Sequence, residues 1–426
     1  MRLSFRRLAP LAAVSLAWLL AAAPKASATR IFVPGKVRTI QSAIDRASDG
    51  DTIWVAAGTY RGPFTLKKSL VLFGDAGPDQ CILDGRDSVR VLTIEGVHGA
   101  AVVGFTFRRG HANSGGGIAC VRDTSVMISS CLFEKNWESG IAAFETADLN
   151  LRDTRFVENQ GSGMSVNSSN IVLAQCGFLK NHGYAGGAIS FTNSHITFPI
   201  RDCTFEENVA DEATGGAVNA DSSDVNIGDS QFSRNTAKVA GGGVAAMDHS
   251  RVGIGHCVFL ENQSASSAAL HSDSSTLNIG LSIFAKNAAR GVASAIGVVG
   301  RGLANVNPIY RNNTFYENTA EGEAAVIWLE HCSPEIRMNI FDLAPGQKVV
   351  AGLDQSPLYE CNLVHDPSGS AVRTVPAGFL FGDPLFCDAP NGDFSVRDLS
   401  PAARAACGTI GASNQKCASF SVIPSK

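Results

Sequence analysis

Asp202, Asp229 and His256 fall at the same place in three successive repeats, three residues ahead of a Phe, with Asp153 at that place in an earlier repeat and Arg152 and Arg201 alongside. If the repeats stack, Asp202 and Asp229 lie about 5 Å apart, which suits an acid and base pair on a glycosidic bond or one shared Ca2+. Asp is also a turn former, and the same column holds Ser130, Gln175, Leu281 and Met338, so the pattern serves a corner as well as it serves catalysis. A second set, His111, Trp137, His182 and Tyr184, lies in the loops between the Asn and the Gly-Gly strand of each repeat, where aromatic and polar side chains in a row can stack sugar rings.

Both sets are positioned by one phrase. Phe-x-x-Asn returns eight times between Phe133 and Asn318, with Phe intervals of 23, 22, 27, 27, 27, 25 and 31. Recurrence at that period marks a solenoid, whose units are too small to bury their own apolar faces and must stack on their neighbours. Counting back from each Phe, apolar or small residues occupy minus 7, minus 5 and minus 2, as in Val126, Ile128 and Cys131, Ile171, Leu173 and Cys176, or Phe198, Ile200 and Cys203. The alternation is that of a strand, and it slips by one residue at minus 4 and minus 3. A slip that keeps both apolar sets inward requires a corner between two short strands. A third strand follows a Gly-Gly pair, as at Gly186-Gly187-Ala188-Ile189 and Gly215-Gly216-Ala217-Val218.

The expectation is an all-β chain: a single-stranded right-handed parallel β-helix of about ten coils, 45 to 50 Å long at about 4.8 Å per coil, with an N-terminal capping helix and an irregular C-terminal cap. The Phe residues should stack inside, and the Asn residues should form an amide ladder at a turn that needs left-handed backbone. The residues before each Asn alternate in sign, Lys135, Glu158, Lys180, Glu207, Arg234, Glu261, Lys286 and Glu317, which predicts an exposed ladder of ion pairs across neighbouring strands.

The chain of 426 residues is 45% hydrophobic and 17% charged, with 43 Gly and a net charge of -4, which argues against a polybasic nucleic-acid binder or a disordered tail. Residues 1–28 read as a signal peptide: Arg2, Arg6 and Arg7, an apolar run, then Ala26-Ser27-Ala28 as the cleavage site. Secretion or attachment to the cell envelope or outer membrane is expected after cleavage near Ala28, with no transmembrane segment in the mature chain. Residues 29–85 are expected to hold an N-terminal cap and the first coils, 86–345 the repeats, and 346–426 the last coils and a Cys-containing cap. In the N-terminal part, Ile40, Ala43, Ile44 and Ala47 have helical spacing ahead of the turn Asp49-Gly50-Asp51 and the strand Thr52 to Val55. There are eleven Cys. Cys131, Cys176, Cys203 and Cys257 share the inward minus 2 position with Thr154, Ser230 and Ser282 and read as core thiols, although Cys176 and Cys203 are within disulfide reach. Cys361 with Cys387, and Cys407 with Cys417, are the expected staples of the irregular end.

The stretch from Thr39 to Tyr60 with Asp84-Gly85, and the stretch Gly382-Asp383-Pro384-Leu385-Phe386, Asn391-Gly392-Asp393-Phe394, Ser400-Pro401 and Gly408-Thr409-Ile410-Gly411-Ala412, resemble the two ends of secreted bacterial proteins of the pectate-lyase-like β-helix superfamily. The Phe-x-x-Asn and Gly-Gly-Ala-Ile phrases resemble the repeats of polymorphic outer membrane proteins, whose C-terminal translocator barrel is not expected here. The resemblance implies the fold and leaves activity open. Asp248-His249 is similar to the Asp-His of calcium-dependent pectate lyases without the flanking Trp and downstream Arg, and the paired Asp signatures of polygalacturonases are absent. The expected function is therefore a non-catalytic envelope or surface protein that binds glycan or another surface ligand along its side and needs no cofactor. The alternatives are a lyase or hydrolase of an acidic polysaccharide, in which Ca2+ could take part, and a plain spacer.

Overall fold

The computed structural model describes residues 28–122, 124–145, 147–301, 308–322, 325–369, 378–412 and 417. The signal peptide expected over residues 1–28 lies, apart from Ala28, outside them. The chain winds into a right-handed parallel β-solenoid of about 13 turns, or a rod of about 60 Å at about 4.8 Å per turn. Two parallel sheets of 14 strands carry the minus 7 to minus 4 residues and the Phe residues, and a third of 12 strands carries the residues after Gly-Gly. A fourth ladder of six two-residue strands runs beside the Asn residues. The count exceeds ten because the Phe register continues as Tyr60 and Leu83 before Phe107, and as Val364 and Phe381 after Phe341, where the phrase itself is lost.

From Phe107 to Phe341 the rings stack face to face, with centroids 4.5–5.1 Å apart and planes within 13°. Each Asn next to them is buried and replaces backbone pairing where neighbouring strands part company. Asn208 Oδ1 accepts from the Asn181 N–H (3.1 Å) and from Asn181 Nδ2 (3.0 Å), while Asn208 Nδ2 donates to the Phe178 carbonyl (3.0 Å). The left-handed backbone expected at this turn is carried by the charged residue just before each Asn, such as Lys180 at φ 53° and Glu207 at φ 53°. The minus 3 column is a second left-handed corner, with Asp202 at φ 54°, Asp229 at φ 49° and His256 at φ 54°.

The minus 2 column has a shared chemistry besides small size. Cys176, Cys203, Ser230 and Ser282 each donate from Sγ or Oγ to the carbonyl two residues back, at 3.3, 3.1, 2.7 and 2.9 Å. A corner carbonyl needs a short X–H donor, and Cys, Ser and Thr all supply one. Cys176 and Cys203 are accordingly free and buried, with no disulfide between them. One coil departs from the repeat. His195 pairs with Asp224 and Ile200 with Ile227, so four residues on one strand face two on the other. Ile196 takes the inward place, and Phe198, expected inward, stands 58% exposed on the resulting bulge before Pro199.

The N-terminal helix Ile40–Arg46 is capped by Thr39, whose Oγ1 accepts from the Ser42 N–H, and buries Ile40, Ala43 and Ile44 over the end of the rod. Lys68 Nζ closes its other end on the carbonyls of Ile44, Asp45 and Ala47. Asp49 and Asp51 accept backbone N–H groups of Ser69, Ser48 and Thr29, so they build the turn. At the far end the chain doubles back along the rod. A hairpin of Phe386–Asp388 with Asp393–Val396, followed by Ala402 and Ile410, covers Ala285, Tyr316, Ile340 and Leu363 on the outer face of the Phe sheet. The four cysteines expected here are all bonded, but crosswise: Cys361 to Cys407 and Cys387 to Cys417, with Cα atoms 6.5 and 5.6 Å apart. The reversal of the chain sets that pairing, because it carries Cys407 back to the rod coil that holds Cys361.

Candidate functional site

The minus 3 corner brings Asp202, Asp229 and His256 onto consecutive strands, as the spacing predicts, and all three are exposed. Among the described residues no hydrogen bond or ion pair joins them, and no group of three His, Cys, Asp or Glu is arranged to hold a metal ion. Asp229 and His256 border a shallow groove of about 500 Å³ floored by Gly228, Gly255 and Gly280, with Arg201 and Arg311 at its ends.

The second set does better as a surface. The residues that follow each Asn stand in register: Trp137 bridges Gln160, Gln160 bridges His182, and His182 pairs with Val209. With Asp87 and the corner residues Lys135, Glu158, Lys180, Glu207 and Arg234 they line an open groove of about 660 Å³ along the rod. Ion pairs join Lys135 to Glu158 at 3.6 Å, Lys180 to Glu207 at 3.5 Å and Arg234 to Glu207 at 3.3 Å, with a further contact from Arg234 to Glu206. Exposed pairs of this kind add at most ~1 kcal/mol each, so their value here is as a pattern of charge. Trp137 is 49% exposed, and the His111 ring lies 5.6 Å from it. His182 Nδ1 sits 3.3 Å from Asp211. Tyr184, although 73% exposed, does not line the groove.

A third cluster escaped the sequence reading. His195 Nδ1 lies 2.9 Å from Asp224 Oδ2, and Arg251 Nε lies 2.9 Å from Asp224 Oδ1. The Arg251 guanidinium, against some opposing burial and with His195 assisting, holds the Asp224 carboxyl below the usual carboxylate range. A carboxylate so fixed orients the imidazole, the arrangement used by general bases, over a recess of about 380 Å³ that includes Thr197, Asn226 and Asn278. The two-residue bulge hid it: Asp224 and Arg251 share the minus 8 position, but His195 stands at minus 10 of its own repeat.

Residues 91–232 match the family model for the right handed beta helix region. No curated protein matches the chain. Among solved structures, two of the PL6 family alginate lyase AlyGC superpose with TM-scores of 0.61 and 0.52, each at 14% identity, covering 91% and 84% of this chain. This chain spans only 57% and 54% of those enzymes' length. The catalytic domain of a GH87 alpha-1,3-glucanase is also matched, at a TM-score of 0.47 and 9% identity, over 85% of this chain and 70% of its own. At 14% identity the likeness to the alginate lyase is one of fold.

Proposed function

We propose that the chain is an exported rod of the cell envelope or surface that binds polysaccharide along the groove of Trp137, Gln160, His182 and the charged corners, without cleaving it. The observation that carries this reading is the register: side chains scattered through the loops and repeats from Trp137 to Val209 fall into one row along the rod axis. An apolar ring half in water beside fixed charges is the usual surface for a sugar chain. The fold neighbours include an alginate lyase, which supports a polysaccharide partner. Export rests on the basic, apolar and small-residue order of residues 1–28.

The second reading, a lyase or hydrolase of an acidic polysaccharide, is favoured by the His195, Asp224 and Arg251 geometry. Retention of the purified protein on immobilised pectin, alginate and glycosaminoglycans, with release of reducing ends and unsaturated uronides followed in parallel with and without Ca2+, separates the two. Retention lost in Trp137→Ala with His182→Ala, and no products, is the expected result. Products abolished by His195→Ala, or by Asp202→Ala with Asp229→Ala, would replace the binding reading with the enzymatic one.

A further inference from the structure

The groove has a period of two coils. Its cations are Lys135, Lys180 and Arg234, on alternate coils, and the intervening coils carry Glu158 and Glu207. The neighbouring column has the same phase: the rings, Trp137 and His182, stand on the coils of Lys135 and Lys180, whereas Gln160 and Val209 stand on the coils of Glu158 and Glu207. One coil advances about 4.8 Å, close to one ring of an extended pyranose chain, so the pattern repeats once for every two rings.

We infer that the ligand is a linear glycan with a two-sugar repeat, one ring a uronate and the next an N-acylated amino sugar. The inference rests on the binding reading given above. The uronate carboxylate lies over Lys135, Lys180 and Arg234, and the amide N–H of the amino sugar donates to Glu158 and Glu207, with Gln160 alongside. A polymer with a carboxylate on every ring meets Glu158 and Glu207 at every second ring and is disfavoured by like charge.

The test compares an alternating glucuronate and N-acetylglucosamine polymer, a homopolymeric polyuronate and a neutral N-acetylglucosamine oligomer, all against the whole protein at physiological ionic strength. The alternating polymer is expected to bind at least about tenfold more tightly than either of the others. Glu158→Lys, at a corner where Lys135 and Lys180 already adopt the same left-handed conformation, is expected to remove that preference in favour of the polyuronate. Lys180→Asn, which keeps a residue tolerant of that conformation, is expected to weaken both uronate-containing polymers and to leave the neutral oligomer unchanged. Equal binding of the alternating polymer and the polyuronate, or a preference unchanged in Glu158→Lys, overturns the inference and leaves the binding reading standing. Failure of all three polymers, with failure on the wider panel of glycans, overturns both.

Discussion

The buried amides of Asn136 to Asn318 are the residues on which the corner next to the Phe stack depends. Each from Asn159 to Asn287 accepts two hydrogen bonds through Oδ1 and donates two through Nδ2, one along the ladder and one to a Phe carbonyl, all away from water. Truncating Asn208 to Ala removes the acceptor of the Asn181 N–H and of one Nδ2 hydrogen of Asn181, and the Nδ2 donor to the Phe178 carbonyl, at about 1–3 kcal/mol for each group left unpartnered. Urea denaturation of Asn208→Ala should therefore give a midpoint well below that of an exposed control such as Glu212→Ala, and equal midpoints would refute the role assigned to the ladder. Strict recurrence makes the Asn column legible in the sequence. Which residue of that turn takes the left-handed backbone was not legible, because the neighbouring Lys and Glu carry no conformational signature of their own; only the backbone places them there.

At the scale of the element, the first coils are tied to the repeats by Asp84. It is 2% exposed and contacts Arg108 Nε at 3.0 Å, Arg109 Nε at 3.1 Å and the Arg86 N–H at 2.9 Å. Burial alone would push its carboxyl up, but the bonds from Arg109, Arg86 and Arg108 outweigh it and leave it below the ordinary value of 3.8. A carboxylate with a lowered folded pKa contributes stability that is complete above its unfolded value and lost as pH falls through the folded one. Wild type should accordingly exceed Asp84→Asn in stability at neutral pH, with the difference narrowing below about pH 4. A difference that stays constant through that range in denaturation curves would contradict the assignment. The strand carrying Asp84 looks like a repeat only in three dimensions: Leu83 takes the place of Phe, so the phrase that identifies the later coils is missing.

For the whole molecule, the C-terminal segment is a lateral strap. Outward positions beside the Phe residues are mixed in the middle coils, with Arg155, Thr204 and Gln231 among Leu132 and Leu179, and Ile283, Tyr316, Ile340 and Leu363 form an apolar strip where the strap lies. The bonds Cys361–Cys407 and Cys387–Cys417 close loops of 46 and 30 residues and contribute about 3–4 kcal/mol each by restricting the unfolded chain. Reduction, or Cys361→Ser with Cys387→Ser, should free the strap to limited proteolysis while the rod keeps its β circular dichroism. Strap and rod unfolding together would mean that the strap is part of the solenoid's own core.

The sequence by itself determined the circuit: Phe over Phe, Asn over Asn, a corner at minus 3 and a helix over the first coil, because a solenoid repeats its local constraints in the same order at every turn. What lay outside that order was decided only by the tertiary structure. The two-residue bulge that expels Phe198 and places His195 against Asp224, the crossed disulfides, and the row that joins Trp137 to His182 all depend on which coil lies against which. Those contacts span 22 to 46 residues of chain, and no local pattern encodes them.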